Sequence, residues 1–182
     1  QQSNVNGRFT DCIGHWAQSD IEEMTKQGIV TGVTVNTFEP DREITRAEFA
    51  TLVAKALNLT STASAGFSDV ASESWYYTYV NAAANAGLIA GYDGLFRPDD
   101  RITREEMAVI IAKTYSFAGG QAASGGAARF ADADSISSWA YASVDATAAG
   151  LISGMTADTF APAENATRAQ AASLLQRLLD KI

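Results

Sequence analysis

The chain has 182 residues, a length that suits one large domain or several small modules. Hydrophobic residues make up 47% and charged residues 19%, which is the composition of a globular protein and not of a disordered or fibrous one. Thirteen Lys and Arg against 21 Asp and Glu give a net charge of −8. This balance argues against nucleic acid or an anionic membrane as a partner, so any bound anion must be held by local groups.

The single cysteine, Cys12, and the single histidine, His15, exclude several classes of chemistry. One thiol cannot form a disulfide within the chain, and one imidazole excludes a two-histidine metal site and argues against a Ser-His catalytic pair. We therefore predict no metal and no cofactor. The acidic residues recur in three equivalent sets, as binding residues do, and no unique carboxylate pair of the kind that glycan hydrolysis needs stands out, so we also predict no enzyme activity. Cys12 is expected to be a small buried hydrophobic group, and His15, which has no counterpart elsewhere, to lie on the surface.

Neither a membrane helix nor a secretion signal is visible in the sequence. No segment approaches the roughly 18 apolar residues of a membrane helix. The first residues, QQSNVNG, lack a basic segment followed by an apolar one, so a signal was either removed or not needed.

A set of short motifs occurs three times along the chain. Each copy begins with Phe-x-Asp and a Trp, continues through a helical stretch into Gly-(Ile/Leu)-(Val/Ile)-x-Gly, and ends with Phe-x-Pro and Thr-Arg. This periodicity predicts three structural repeats, at residues 1–60, 61–122 and 123–182. The repeated residues are Asp11, Asp69 and Asp132; Trp16, Trp75 and Trp139; Gly32, Gly91 and Gly154; and Arg46, Arg104 and Arg168.

Each repeat is predicted to contain two helices, so the expected fold class is all-α. Apolar residues with helical spacing mark the first helix, from Val80 to Leu88 and from Val144 to Ile152. The second helix begins at a capping box, in which Thr is followed three residues later by Glu or Gln. Its apolar face is the same in all copies: Phe49 to Leu57, Met107 to Tyr115 and Ala171 to Leu179.

Small, polar and Gly-rich segments separate the copies, at residues 58–66 and 116–128. This composition predicts flexible linkers between separate repeats. Units of about 60 residues bury little surface alone, so we expect the three repeats to pack into one body.

The Arg that follows the cap Thr in every copy needs its own explanation. A cation at the start of a helix faces the positive end of the helix dipole, at a cost of about 0.3–1 kcal/mol. Two interpretations remain open: a salt bridge to a neighbouring carboxylate, or an anionic ligand held jointly by the guanidinium and the helix N-terminus. On the ligand interpretation, Arg46→Ala is expected to change folding stability little.

The order of these motifs, with Ile44-Thr45-Arg46-Ala47-Glu48 as the hallmark segment, resembles the S-layer homology repeat of bacterial surface proteins. The resemblance extends from Phe9 to the C-terminus. It implies three two-helix repeats packed as a pseudo-threefold, three-lobed helical body with grooves between the repeats. It also implies a module that is secreted, anchors a larger S-layer or exoprotein chain of a Gram-positive bacterium, and resides in the cell wall.

The resemblance further implies a ligand and a set of site residues. The ligand is a peptidoglycan-linked secondary cell wall polysaccharide whose terminal N-acetylmannosamine carries a pyruvate ketal. Arg46, Arg104 and Arg168 would pair with the ketal carboxylate, while Asp11, Asp69 and Asp132 accept hydrogen bonds from sugar hydroxyls. Trp16, Trp75 and Trp139 would line the grooves, and Gly32, Gly91 and Gly154 would admit the sugar close to the backbone.

Other roles for these residues and another function stay open. The Trp side chains suit a core, the Asp side chains suit helix or turn caps, and the Gly residues suit plain turns. The alternative function is a protein-interaction scaffold whose grooves receive acidic side chains of a partner.

Departures from the repeated pattern predict that the three grooves are unequal. The third repeat has Gln170 in place of Glu, and Ala163 where the other copies have Asp41 and Asp99, so its site is the most altered. Glu105, which stands where the first repeat has Ala, is expected to weaken anion binding beside Arg104.

Overall fold

The computed structural model describes residue 4, residues 6–121 and residues 123–182. This part of the chain contains six α-helices, and its strand-like pairing is limited to isolated bridges, so the all-α prediction is confirmed. None of these helices has the length and apolar character needed to cross a membrane. The helices are α1 (Gln18–Lys26), α2 (Arg46–Ala56), α3 (Tyr77–Asn85), α4 (Arg104–Phe117), α5 (Ser138–Ala148) and α6 (Arg168–Leu179), with short 3₁₀ turns at Thr10–Cys12, Ala127–Arg129 and Ala133–Ser135.

The second helix of each repeat starts at the predicted capping box. At α2 the Thr45 hydroxyl accepts the Glu48 N–H at 3.1 Å, and the Glu48 carboxylate accepts the Thr45 N–H at 3.3 Å. The same reciprocal pair is present at α4 and α6, where Gln170 replaces Glu. Two N–H groups that would otherwise lack a partner are thereby satisfied at each start.

In the second and third repeats the first helix begins and ends earlier than the apolar spacing predicts. α3 ends at Asn85 and α5 at Ala148, although the apolar spacing continues for several residues. Gly87 has a φ of 77°, which is incompatible with continuing the helix. Leu88 lies in the loop after the helix and is nevertheless buried, so the apolar spacing identifies buried residues beyond the end of the helix.

Each second helix packs against the first helix of the next repeat. α2 contacts α3, α4 contacts α5, and α6 returns to contact α1, while α6 also contacts α2 and α4 near the centre. The apolar side chains form one shared core, in which Phe38, Phe96 and Phe160 occupy equivalent positions. The expectation of a single packed body is confirmed.

A closed ring of backbone hydrogen bonds joins the three repeats in front of the second helices. Ile44 N–H donates to Ala166 C=O at 3.0 Å, Ala166 N–H to Ile102 C=O at 2.9 Å, and Ile102 N–H to Ile44 C=O at 3.2 Å. Each repeat thus donates one of these hydrogen bonds and accepts another, which relates the three repeats by a pseudo-threefold axis.

The linkers are more ordered than their composition predicts. α4 continues to Phe117, inside the second predicted linker, and Asp145 of α5 accepts the N–H groups of Gly125 and Ala127 at 2.7 and 3.0 Å. Asn81 of α3 likewise accepts the Ala65 N–H at 2.7 Å. The prediction of flexible linkers is wrong for these residues.

Two ends of the predicted repeats fall on residues outside the described part of the chain. The predicted start of repeat one falls on Gln1–Ser3 and Val5, and the predicted end of repeat two on Ala122. The repeat boundaries therefore remain predictions.

Cys12 and His15 both lie in the first repeat, close to Asp11 and Asp41. Cys12 is 1% exposed, as predicted, and burial together with the Asp11 charge raises its pKa to about 12. His15 is not on the surface as predicted: its side chain is 13% exposed, and Nε2 lies 2.8 Å from Asp41 Oδ1. Its Nδ1 accepts the Ala17 N–H, so the imidazole helps to fix the entry into α1.

Candidate functional site

Three grooves between the repeats each contain one of the three Trp residues. We name them the Trp75, Trp16 and Trp139 grooves, and their volumes are about 510, 320 and 620 Å³. Volumes of this size accommodate a small molecule or one or two sugar units.

Every groove is built from all three repeats. One repeat supplies a second helix and the Gly-containing loop, the following repeat supplies the Trp, and the preceding repeat supplies the Arg. The combinations are α2, Gly32, Trp75 and Arg168; α6, Gly154, Trp16 and Arg104; and α4, Gly91, Trp139 and Arg46.

The Trp side chains are largely exposed. Trp16, Trp75 and Trp139 are 62%, 63% and 60% exposed, so the core-packing interpretation is wrong. Large apolar surface left in water at the edge of a groove is typical of a ligand platform. The structure thus places all three Trp residues where the resemblance implies.

The Arg side chains connect adjacent repeats through backbone carbonyl groups. Arg46 donates from Nε to Phe96 C=O at 2.9 Å and from Nη2 to Ala90 C=O at 2.8 Å. Its guanidinium also lies over the Phe96 ring, 4.9 Å from the centroid. Arg104 makes the same contacts with Phe160 and Ser153, and Arg168 with Phe38 and Thr31.

These contacts give the Arg a structural role that neither interpretation of the sequence included. A salt bridge is present for Arg168, whose Nη1 lies 2.8 Å from Glu48 Oε2. For Arg46 and Arg104, Nη1 has no hydrogen-bond partner among the described residues. Burial lowers the pKa of all three guanidinium groups, which marks them as cations with reduced hydration. The remaining nitrogen can therefore serve a ligand.

The N-termini of the second helices are not available to an anion. The N–H groups of Arg46 and Ala47 donate to the carbonyl oxygens of Asp100 and Pro98, at 2.9 and 3.0 Å. Carbonyl groups of a neighbouring repeat occupy the starts of α4 and α6 in the same way. They also offset the unfavourable position of the Arg in the helix dipole. The predicted helix N-terminal anion pocket is wrong because a neighbouring repeat fills it.

The Asp side chains hold the Phe-x-Pro segments. Asp11 accepts the Phe38 N–H at 3.0 Å and the Glu39 N–H at 2.7 Å, and Asp69 and Asp132 accept the equivalent groups. Glu39 has a φ of 56°, a left-handed conformation that a residue with a side chain adopts only at a cost. The turn-cap interpretation is confirmed. None of the three Asp is among the described residues that line the grooves, so their contact with a sugar stays a prediction.

These carboxylates predict a loss of stability in acid. Burial raises the pKa of Asp11 and Asp132, but the backbone N–H groups that they accept outweigh burial and place both pKa values below the ordinary 3.8. Because the folded pKa is the lower one, each group contributes stability that is complete well above pH 3.8 and is lost as the pH falls through the folded pKa.

Asp132→Asn should accordingly destabilise the protein at neutral pH and flatten its acid dependence, as measured by urea unfolding over a pH series. Asp134→Asn, at an exposed position close by, is the matched control and should follow the unmodified protein. An acid dependence that Asp132→Asn leaves unchanged would contradict this role.

The loop Gly residues are required by packing. A Cβ at Gly32 would collide with the Phe9 ring and with the Thr34 carbonyl oxygen, although its φ is ordinary. Gly91 and Gly154 meet Phe67 and Phe130 in the same manner. These residues line the grooves, but their small size serves the contact between loop and Phe. A direct approach of a sugar to their backbone stays a prediction.

The Glu105 side chain is directed towards α5. Its carboxylate is 93% removed from solvent and accepts the Ser137 N–H at 2.9 Å and the Ser137 hydroxyl at 2.7 Å, at the start of α5. It is not among the described residues that line the Trp16 groove. Its side chain turns towards the next helix and does not line the groove, and its effect on anion binding stays a prediction.

A second cation in every groove was missed by the sequence analysis. Lys55, Lys113 and Arg177 line the Trp75, Trp139 and Trp16 grooves. Each stands nine residues after the repeated Arg, so the signal was present as a basic residue at one register position in all copies. Without knowledge of the helix partners, these positions read as a solvated helix face.

Comparison with known proteins identifies what the chain is similar to. A sequence model of the S-layer homology domain matches residues 8–50, 66–108 and 129–172. The chain is 40% identical over 176 residues to an amylopullulanase of Thermoanaerobacterium thermosulfurigenes, over 95% of the chain and 10% of that protein. It is 31% identical over 166 residues to an S-layer protein of Bacillus thuringiensis subsp. finitimus, over 90% of the chain and 20% of that protein. The chain thus spans a fifth or less of these two relatives.

Proposed function

The chain belongs to the S-layer homology domain family, and from this premise we propose that it is a non-covalent anchor of a larger bacterial surface protein in the cell wall. The proposed ligand is secondary cell wall polysaccharide with a terminal pyruvylated N-acetylmannosamine. The observation that carries the proposal is the threefold groove with an exposed Trp and an Arg.

The chemistry of each groove fits such a sugar. An exposed indole face can pack against the apolar face of a pyranose ring. Arg46 and Arg104 keep one guanidinium nitrogen for a carboxylate, and the adjacent Lys113 and Arg177 add a second positive charge. A ketal carboxylate beside an N-acetyl sugar supplies both an anion and an apolar face.

The relatives support attachment over catalysis. A similar segment occurs in a protein named as an amylopullulanase and in one named as an S-layer protein, and it makes up a fifth or less of each. A role that both proteins can share is fixing the larger chain at the cell surface.

The alternative is a scaffold whose grooves bind acidic side chains of a partner protein. The 2.8 Å contact between Arg168 and Glu48 shows that a protein carboxylate fits one groove. The exposed Trp residues favour the sugar, because a lone acidic side chain offers no surface for an indole face to cover.

The test compares native polymer with chemically depyruvylated polymer, using purified cell walls stripped of protein. Depyruvylation removes the carboxylate and leaves the sugar, so we expect binding of the chain to weaken by more than about tenfold. Mock-treated polymer is the control. Equal binding to native and depyruvylated polymer would contradict the carboxylate role, and binding only to walls that retain protein would favour the scaffold.

A further inference from the structure

The three grooves differ in the acidic groups near their Arg, and one position of the second helix contributes to this difference. That position is the third residue of the helix: Glu48 in the Trp75 groove, Glu106 in the Trp139 groove and Gln170 in the Trp16 groove. Capping requires only a side-chain oxygen there. Gln170 accepts the Thr167 N–H at 3.2 Å, much as Glu48 accepts the Thr45 N–H at 3.3 Å. The helix start therefore tolerates either side chain, while the charge in the groove changes.

In the Trp75 groove the protein already supplies the anion. Glu48 Oε2 lies 2.8 Å from Arg168 Nη1 and 3.2 Å from Arg42 Nη2. Asp99 lines the same groove. A ligand carboxylate must displace Glu48 from a partly buried cation or approach it as a like charge.

In the Trp139 groove the carboxylates are near the Arg without occupying its free nitrogen. Burial lowers the pKa of Arg46, and the charges of Glu106 and Asp100 oppose that shift. Both acids line the groove, together with the cations Arg97, Arg101 and Lys113. A ligand carboxylate in this groove would be attracted by the cations and repelled by the two acidic side chains.

In the Trp16 groove no carboxylate is among the described lining residues, and two cations are. Arg104 is 3% exposed, and its Nη1 has no hydrogen-bond partner among the described residues. Arg177 Nη1 lies 2.8 Å from the Ser153 hydroxyl. The carbonyl oxygen of Ser153 accepts from Arg104, so the two guanidinium groups converge on one residue. The charge of Asp132 acts on Arg104 from outside the groove lining, and its carboxylate is held by the N–H groups of Phe160 and Ala161. Two cations held this way, with no acid among the described lining residues, favour an added anion.

Resting on the proposed function, we infer that the Trp16 groove is the principal carboxylate site and that the Trp75 groove is the weakest. Gln170 in place of Glu sets the Trp16 groove apart from the other two, and the contact of Glu48 with Arg168 places the Trp75 groove below the Trp139 groove. The sequence alone predicted that the grooves are unequal and that the third repeat departs most from the motif, without an order of affinity. Its departure at Gln170 removes the competing charge.

The Trp residues make the order measurable groove by groove. Each indole N–H gives one NMR signal, assigned with Trp16→Phe, Trp75→Phe and Trp139→Phe variants of the full chain. Two probes are titrated: the methyl glycoside of pyruvylated N-acetylmannosamine, and sodium pyruvate as a carboxylate without the sugar. The Trp16 signal is expected to respond at the lowest concentration of either probe and the Trp75 signal at the highest.

The reciprocal variants Gln170→Glu and Glu48→Gln isolate the cause. Gln170→Glu should weaken binding at Trp16 about tenfold, and Glu48→Gln should strengthen it at Trp75 by a similar factor, as for one like charge added or removed at a partly screened site. The Trp139 signal is the internal control. Thermal unfolding should change little for Gln170→Glu, since Glu caps α2 and α4 in the same way.

The outcomes separate the inference from the proposed function. If the glycoside moves no signal but pyruvate gives the expected order, the sugar is wrong and the order of the grooves stands. If either probe binds equally in all grooves, or the Trp16 affinity is unaffected by Gln170→Glu, the inference is overturned. If neither probe moves any signal, both are overturned.

Discussion

Residues 1–61 produced alone are expected to be unfolded, although they contain a complete sequence repeat. The partner of α1 is α6 and the partner of α2 is α3, so this fragment contains no packed helix pair. Arg46 would also lose both of its carbonyl acceptors, in Ala90 and Phe96. Helices shorter than about 12–15 residues are marginal in water without tertiary contacts. Circular dichroism should show little helix and no cooperative melting.

A fragment of the same length, residues 37–97, is the matched control. It contains α2 with α3, Arg46 with both acceptors, and Asp69 with the two N–H groups that it accepts. We expect it to be more helical than residues 1–61 under the same conditions. A cooperative helical transition in residues 1–61 and none in residues 37–97 would show that the sequence repeat is the folding unit.

Arg104→Ala is expected to lower the free energy of unfolding by about 3 kcal/mol and to remove binding in the Trp16 groove. Hydrogen bonds to a charged group contribute about 1.5–3 kcal/mol each, and the substitution leaves the carbonyl oxygens of Phe160 and Ser153 without their donor. The ligand interpretation of the sequence led to a different expectation, stated for Arg46→Ala, of little change in folding stability, and neither interpretation included backbone carbonyl groups as acceptors.

Urea unfolding of three variants tests the role of the planar Arg104 guanidinium in joining the repeats. Arg104→Lys keeps the charge but cannot reach two carbonyl groups from one planar group, so it should be intermediate. Arg177→Ala removes an exposed cation from the same groove and should change stability by less than about 1 kcal/mol. If Arg104→Ala unfolds at the same urea concentration as the unmodified chain, the inter-repeat role of the Arg is wrong.

Local features of the fold were predictable from sequence, and the partners of each helix were not. The capping boxes at Thr45, Thr103 and Thr167 depend on residues three positions apart, so a single segment determines them. Apolar spacing shows which face of α2 is buried, but an identical face on α4 and α6 leaves its partner undetermined. The exchange of partners between repeats became visible only in three dimensions.

The residues of the candidate site were likewise predictable only in part. Trp75 and Arg168 line one groove, which the resemblance implied and the residues alone did not, since a repeated Trp also suits a core. The acceptors of the Arg are backbone carbonyl groups, which carry no residue-specific signal in a sequence. The resemblance implied a ligand role for Asp11 and a turn cap was the alternative; its partners, the N–H groups of Phe38 and Glu39, carry no residue-specific signal either.

The ring at Ile44, Ile102 and Ala166 has a consequence for how the chain bears a load. The covalent chain connects repeat one to two and two to three, but repeats three and one are joined only by non-covalent contacts, among them the Ile44 to Ala166 bond and the Arg168 to Phe38 bond. Tension between the two ends of the chain acts on this seam. Because every groove takes residues from all three repeats, an occupied groove bridges the seam as well. If the proposed ligand binds only the closed ring, it stabilises the ring by mass action, and on the proposed function attachment would then strengthen the contacts on which it depends.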